Sequence, residues 1–252
     1  MSNDQPLGTP LDWTPVAPPF RKSFLGSHIL VRPIKADIDA EPYYAALHPP
    51  GGEEHLWTYL LDGPYESVEE MRQAMEWAET SSDPLLFVLV SLKDQRPLGR
   101  AAYLRITPEF GVIEIGAILL AAELRRTTAA TEAIYLLIRH AFDDLGYRRV
   151  EWKCDALNAA SRSAAERFGF NFEGIFRNHM VVKGHSRDTA WYAMTDADWP
   201  RVRVGFESWL APRNFDASGA QKRSLRELTS AEAIRSKSSH SPSSSATHEK
   251  RE

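Results

Sequence analysis

The sequence predicts one α/β domain built on a mixed sheet. Residues 85–92 and 97–106 are two apolar strands joined by a polar turn, which is typical of an antiparallel hairpin. Residues 112–119 and 149–155 are two further strands separated by a long amphipathic helix. A crossover that contains a full helix joins parallel neighbours, so we expect the second pair to be parallel. An antiparallel hairpin and a parallel pair in one sheet make the sheet mixed.

The stretch from the third of these strands to the long helix is the centre of the predicted fold. The strand ends in a short basic turn at Arg125 and Arg126, and Thr127 or Thr128 can cap the helix that follows. Apolar side chains recur at i, i+3, i+4 and i+7, so we expect one helix face to be buried. These positions are Ile134, Leu137, Ile138, Ala141, Phe142 and Leu145.

The remaining elements flank this unit. Ser67 and Glu70 form a capping-box pattern that opens a helix running to Thr80. Asn158 can cap a short helix that ends at Gly169. The other predicted elements are a strand at 29–33, a helix from near residue 42 to residue 47, strands at 170–180 and 189–194, and a helix at 196–210.

Composition divides the chain into three parts. Residues 1–26 are a proline-rich arm, with Trp13 and Phe20 available to anchor it. Residues 27–212 form the domain. Residues 213–252 are rich in Ser, Lys, Arg and Glu and are predicted to be a disordered tail, in which a short helix near 224–234 is marginal by itself.

Charge and cysteine usage narrow the function classes. The net charge of −4 over 252 residues gives no reason to expect nucleic-acid binding, and no apolar run of 18 residues indicates a membrane span. Cys154 is the only cysteine, so we expect no disulfide framework and a reducing compartment, the cytoplasm with the nucleus as the alternative. His179 and His185 lack metal-ligand spacing, so no metal is expected.

The start of the long helix is a candidate phosphate site. Helix N-termini leave backbone N–H groups unpaired and carry partial positive charge. Two arginines precede this one, and Ala129, Ala130 and Thr131 in its first turn are small. The sequence therefore favours a phosphate cradle, although an ordinary capped helix would look similar.

Four motifs in this order resemble the GNAT acyl-CoA N-acyltransferase superfamily, and within it the RimJ/RimL-like branch. The resemblance covers roughly residues 27–199. The motifs are residues 114–116 (EIG), 125–131 (RRTTAAT), 158–161 (NAAS) and 166–170 (ERFGF). The turn departs from the family pattern at Thr128, where the first glycine is usual.

The resemblance implies acetyl-CoA as co-substrate and names the residues that would bind it. In the family, the cofactor enters where the central strand and its parallel neighbour separate. Backbone groups of Ile118, Leu119 and Leu120 would contact the pantetheine arm, and Asn158 would bond it from the next helix. The pyrophosphate would be held by Arg125, Arg126, Thr127, Thr128, Ala129, Ala130 and Thr131.

Glu114 is the candidate general base. It is the lone carboxylate in an apolar strand, where burial should raise its pKa into a useful range. The alternative is an outward-facing glutamate paired with Arg100 or Arg105. Many family members use a tyrosine as general acid, but Ala165 stands at that position here. The resemblance instead implies Ser161, which could also be only a first-turn helix residue.

An aromatic loop, defined as residues 55–65, carries the candidate acceptor-binding residues Trp57, Tyr59 and Tyr65. These rings could wall off a small amine or simply anchor the loop on the core. We therefore expect an N-acetyltransferase acting on a small primary amine. The alternatives are acetylation of protein N-termini or lysines, and a non-catalytic acyl-CoA-binding module. The chain could be a monomer or a homodimer.

Overall fold

The computed structural model describes residues 5–49 and 54–230. An eight-stranded mixed sheet in the order β1-β2-β3-β4-β5-β6-β8-β7 crosses the domain. The strands are β1 (Phe24–Leu25), β2 (Ile29–Pro33), β3 (Leu85–Ser91), β4 (Pro97–Thr107), β5 (Val112–Leu120), β6 (Arg149–Asp155), β7 (Asn171–Val182) and β8 (His185–Thr195). The helices are α1 (Ala36–Leu47), α2 (Val68–Thr80), α3 (Thr128–Arg139), α4 (Ala159–Arg167), α5 (Trp199–Leu210) and α6 (Leu225–Thr229).

The predicted mixed sheet is confirmed. Strands β3 and β4 pair in an antiparallel hairpin, and β5 and β6 pair in parallel around the α3 crossover. Every other adjacent pair of strands is antiparallel. None of the described helices has the length and apolar character needed to cross a bilayer.

Helix α3 is buried on nearly all sides. Thr127 caps it by accepting a 3.1 Å hydrogen bond from the Ala130 N–H. The helix lies between the sheet and α5, where the ring of Tyr135 stacks on Phe206. The α-helix ends at Arg139 and continues as a π-helical turn, His140–Asp144, so the predicted single long helix changes geometry in its last turn.

The N-terminal arm lies on the domain surface in the described residues. The Trp13 indole N–H donates to the Glu109 carbonyl at 2.8 Å, and its ring lies over the Arg148 guanidinium. Phe20 is largely exposed and only approaches the edge of His140. Trp13 is therefore the main aromatic anchor of the arm.

The segment 213–230, assigned to the disordered tail from sequence, is part of the packed domain. Ser224 and Glu227 form a reciprocal capping box that starts α6. Leu225 and Thr229 are buried, and α5 approaches α6 so closely that a Cβ on Gly205 would lie 2.6 Å from the Leu228 carbonyl oxygen. The sequence prediction of disorder here was wrong because tertiary burial stabilises a helix too short to form alone. Residues 231–252 lie outside the described residues.

Candidate functional site

Strands β5 and β6 separate in the middle of the sheet. They pair in parallel from Val112 with Arg149 to Glu114 with Glu151. Beyond Glu114, a bulge with Ala117 at φ 50° shifts the register of β5 against β4. Because the bulge turns the end of β5 away from β6, an opening forms between the two strands.

A cavity of about 940 Å³ occupies this opening. Its wall runs from α2 and the aromatic loop on one side to the start of α4 on the other. Six of the residues predicted for the site line it: Tyr59, Tyr65, Glu114, Ile118, Asn158 and Ser161. The fold therefore brings the candidate base Glu114, the candidate acid Ser161 and part of the candidate acceptor site into one cavity.

Glu114 is buried and ion-paired in this cavity. Its residue is 4% exposed, and its carboxylate contacts the Arg105 guanidinium and, at 3.2 Å, the Lys153 ammonium. Burial raises the pKa of Glu114 above its usual value, and Lys153 and Arg105 offset only part of that rise. The two alternatives predicted for Glu114 are therefore not exclusive, because it pairs with Arg105 on the neighbouring strand and also lines the cavity.

Gly116 gives the Glu114 carboxylate its space. A Cβ at Gly116 would lie 3.1 Å from the Glu114 carboxylate oxygen and 2.8 Å from a Leu104 methyl group. Any side chain at this position would press on the carboxylate or project into the cavity. The site therefore needs a glycine at position 116, because a larger residue would take the space beside the carboxylate.

Ser161 and Asn158 lie at the start of α4. Asn158 caps the helix through its side-chain oxygen, which accepts from the Ser161 N–H at 3.0 Å. That bond leaves the side-chain nitrogen of Asn158 able to donate to a ligand. The Ser161 hydroxyl oxygen accepts the Trp152 indole N–H at 2.9 Å, so its own proton can be donated elsewhere.

Cys154 lines the same part of the cavity. Burial raises the pKa of its thiol, an effect that a hydrogen bond from Ser161 and the charge of Arg187 reduce. A raised pKa keeps the sulfur protonated and therefore weakly nucleophilic.

The predicted phosphate cradle, residues 125–131, lies at the start of α3, and none of its residues lines the cavity. Arg126, at φ 62°, turns the chain into α3, and Thr127 caps it. The first amides of an α-helix have no partner within the helix, so those of Thr128 and Ala129 can bind an anion. Thr131 accepts a 2.8 Å hydrogen bond from Arg167, which ties the first turn of α3 to the end of α4.

The three residues predicted to contact a pantetheine arm differ in their surroundings. Ile118 lines the cavity. Leu119 is buried and pairs with Arg100 of β4, and its carbonyl accepts from the Tyr43 hydroxyl at 3.3 Å. Leu120 pairs with Gly99. Ile118 is consequently the member of this group that the structure places against the cavity.

The aromatic loop covers the cavity, but its rings have different roles. Tyr59 and Tyr65 line the cavity wall. Trp57 is 1% exposed and packs edge-on against Tyr65 at a centroid distance of 5.4 Å. Trp57 does not line the cavity, because the loop folds its ring beneath Tyr65. It supports the wall and is not placed to contact an acceptor.

Three contacts hold the aromatic loop closed. Arg100 of β4 donates to both carboxylate oxygens of Asp62, at 2.7 and 2.6 Å. Lys183, in the β7–β8 turn, donates to the carbonyls of Trp57 and Asp62 at 2.8 and 3.2 Å. The Tyr59 hydroxyl donates to the Leu157 carbonyl at 3.4 Å. The loop therefore spans the cavity from one side of the sheet opening to the other.

Replacing Asp62 by asparagine should loosen this closure. The Arg100 side chain is 9% exposed and would lose its charged partner, so we expect a destabilisation of about 1–3 kcal/mol. Burial alone would raise the pKa of Asp62, but Arg100 overcomes this and lowers it to about 2. The stabilisation is thus complete above the ordinary aspartate pKa of about 4 and is lost as the pH falls toward 2.

Thermal unfolding of wild type and Asp62→Asn between neutral and acid pH measures this effect. The difference in Tm should shrink as the pH falls through that window. Asp12→Asn, at an exposed position of the arm, is the control and should show no such difference. Equal stability of Asp62→Asn and wild type at neutral pH would mean that other contacts hold the loop.

Sequence reasoning missed the cations of the cavity. Lys153 is 3% exposed, lies 3.7 Å from the centre of the Trp191 ring and bonds Glu151 at 2.6 Å as well as Glu114. Arg187 enters the cavity from β8. The charged alternation of β6 was visible in the sequence, but the approach of Lys153 to Glu114 depends on the pairing of β6 with β5. Within the described residues, no group of three or more His, Cys, Asp or Glu side chains could hold a metal ion.

Comparison with known proteins gives consistent matches. The family model described as the acetyltransferase (GNAT) domain matches residues 28–171. A GCN5-related N-acetyltransferase from Brucella melitensis is 44% identical, with a TM-score of 0.84 over 86% of this chain and 98% of that one. A candidate GNAT-family acetyltransferase from Chromobacterium violaceum is 35% identical, with a TM-score of 0.71 over 79% of this chain and all of the other.

A curated relative matches over a shorter stretch. YdaF of Bacillus subtilis, named as a candidate ribosomal N-acetyltransferase, is 32% identical over 80 residues. The match covers 32% of this chain and 44% of the length of YdaF. It agrees with the branch that the sequence motifs indicated.

Proposed function

Since the chain belongs to the GNAT acetyltransferase family, whose members transfer an acetyl group from acetyl-CoA to an amine, we propose that it acetylates a small primary amine. The observation that carries this proposal is the cavity at the β5–β6 opening. It contains the buried Glu114 and is covered by an aromatic loop tied down at three points.

Residues at the start of α3 and in the cavity are suited to binding acetyl-CoA. The first turn of α3 offers free amides and small side chains to a pyrophosphate, and the arginines before it add positive charge. Ile118 and Asn158 line the cavity that contains Glu114. Acetyl-CoA supplies the acetyl group as a thioester.

The proposed chemistry is direct attack by the neutral amine. A bond forms between the amine nitrogen and the acetyl carbon while the carbon–sulfur bond breaks. Glu114 accepts the proton that the amine loses, which its raised pKa favours. Ser161 donates a proton to the departing sulfur: its oxygen accepts from the Trp152 indole N–H, and its hydroxyl hydrogen turns from Cys154 to the leaving thiolate.

The closed aromatic loop favours a small acceptor over a protein. A peptide acceptor must thread through an open groove, whereas Arg100, Lys183 and Leu157 hold this loop across the cavity. The similarity to YdaF, named as a candidate ribosomal N-acetyltransferase, favours the alternative of a protein acceptor. Loop closure is a property of this chain's own site, so we give it more weight.

A paired acceptor screen distinguishes the two. Small primary amines and short peptides with free N-termini are each offered with acetyl-CoA, and acetylated products are identified by mass spectrometry. We expect turnover with small amines and at least about 10-fold lower kcat/KM with peptides, since a peptide must displace the loop. Preferential acetylation of peptides would contradict the small-molecule proposal and support the ribosomal-protein alternative.

A further inference from the structure

The charged side chains of the cavity are almost all paired within the protein. Arg100 is bound by Asp62, and Arg105 and Lys153 are bound by Glu114. The two other carboxylates in the wall accept backbone N–H groups. Asp83 accepts those of residues 105 and 106, and Asp155 accepts that of residue 157.

Arg187 is the exception among the described residues that line the cavity. It projects from β8, where it pairs with Met180 of β7, and no described carboxylate lies within ion-pair distance of it. Its Nε atom is buried and has no hydrogen-bond partner in the described part of the chain. A buried donor on a charged group is costly to leave unsatisfied, so this position suits a bound anion.

The surroundings of Arg187 are polar at one end and apolar at the other. His179 and Thr189 flank it and bond each other, Nδ1 to Oγ1, at 2.9 Å. The opposite wall, from α2 and β3, is apolar and includes Met71, Met75 and Leu86. A ligand that fills the cavity would therefore meet a carboxylate at Glu114, a guanidinium at Arg187 and the apolar wall formed by α2 and β3.

We infer that the acceptor is a primary amine that also carries a carboxylate, and that Arg187 binds this carboxylate. The inference rests on the proposed acetylation of a small amine and adds the acceptor's chemical class. A guanidinium recognises a carboxylate through two parallel hydrogen bonds, which a lysine ammonium cannot reproduce. Arg187 would thus orient the acceptor so that its amine faces Glu114.

The test compares matched ligands that differ only by the carboxylate. The amine and carboxylate of each acid stand at opposite ends of an alkyl chain, because Arg187 lies six residues along β8 from Ala193, which is in register with Glu151 and Glu114. The pairs are 6-aminohexanoate with hexylamine, 7-aminoheptanoate with heptylamine, and 8-aminooctanoate with octylamine. Each is measured as a substrate by kcat/KM and as a ligand by thermal stabilisation. The proteins are wild type, Arg187→Gln, Arg187→Lys and the control Arg177→Gln, which changes an exposed arginine on β7 outside the cavity.

At least one carboxylated ligand should be preferred by wild type over its partner, by about 10- to 100-fold. Arg187→Gln should abolish that preference, Arg187→Lys should restore part of it, and Arg177→Gln should keep it. The KM for acetyl-CoA should stay unchanged in all four proteins.

Three results would overturn the inference: no carboxylated ligand binds wild type better than its partner, Arg187→Gln retains the preference, or Arg187→Gln raises only the KM for acetyl-CoA. The last would place Arg187 at a phosphate of acetyl-CoA. The binding measurement separates this inference from the proposed function. If carboxylated amines bind in an Arg187-dependent way but are not acetylated, the carboxylate site is supported and the proposed function is contradicted. If amines are acetylated whether or not they carry a carboxylate, only the inference about Arg187 is contradicted.

Discussion

Glu114→Gln should lower kcat for acetyl transfer by about 10²- to 10⁴-fold, the range expected when a general base is removed. The amide keeps the size of the carboxylate but cannot accept the amine proton. The KM for acetyl-CoA should change little, since the phosphate cradle on α3 is separate from Glu114. Steady-state kinetics with a saturating amine measures both quantities.

The fold should tolerate this change. Lys153 keeps its 2.6 Å ion pair with Glu151, and the Arg105 side chain is 48% exposed and can be hydrated. Glu173→Gln is the matched control, because Glu173 is also a sheet glutamate paired with an arginine, Arg149, but lies outside the cavity. It should leave kcat unchanged.

The pH dependence gives an independent check on Glu114. A general base acts in its deprotonated form, so kcat/KM should rise with pH through the pKa of Glu114, which burial raises above its ordinary value. This limb should be absent in the residual activity of Glu114→Gln. Wild-type kcat in Glu114→Gln would mean that Glu114 serves only to pair with Arg105 and Lys153.

The double variant Arg126→Glu with Thr128→Glu should weaken acetyl-CoA binding by at least about 100-fold. Both changes put negative charge where the pyrophosphate is proposed to bind, and each lost or reversed charged contact costs roughly 1.5–3 kcal/mol. A carboxylate in the first turn of a helix is favourable to the helix itself, so α3 should remain folded. Isothermal titration of acetyl-CoA measures the effect, with circular dichroism as the check on folding.

Arg177→Glu with Gln73→Glu is the control for this variant. It makes the same change in net charge at two exposed positions outside the cavity. Unchanged binding in the control and lost binding in the cradle variant would locate the effect at α3. Equal affinity of the cradle variant and wild type would place the pyrophosphate elsewhere.

The central part of the fold could be predicted because its signals are local. The hairpin, the Thr127 cap and the crossover between β5 and β6 each follow from periodicity, capping residues and connection length. Glu114 could be proposed as a site residue because it is the lone carboxylate in an apolar strand, a pattern that can be seen in the sequence alone. The family assignment from these motifs is confirmed by the match over residues 28–171.

The rest depends on contacts between distant segments. Lys153 and Arg187 reach the cavity only through the pairing of β6 with β5 and β8, and nothing near them in sequence marks them as site residues. The burial of Trp57 depends on how its loop folds over Arg100. The polar composition of residues 213–230 pointed to disorder, because the packing against α5 that stabilises α6 cannot be seen in the sequence.

The most direct test of the account is the release of CoA thiol from acetyl-CoA by wild-type protein, with and without a small primary amine. Amine-dependent, saturable thiol release, matched by an equal amount of N-acetylated product, is the predicted result. Acetyl-CoA that binds but is never transferred to any amine would contradict the account and leave the chain a non-catalytic acyl-CoA-binding module.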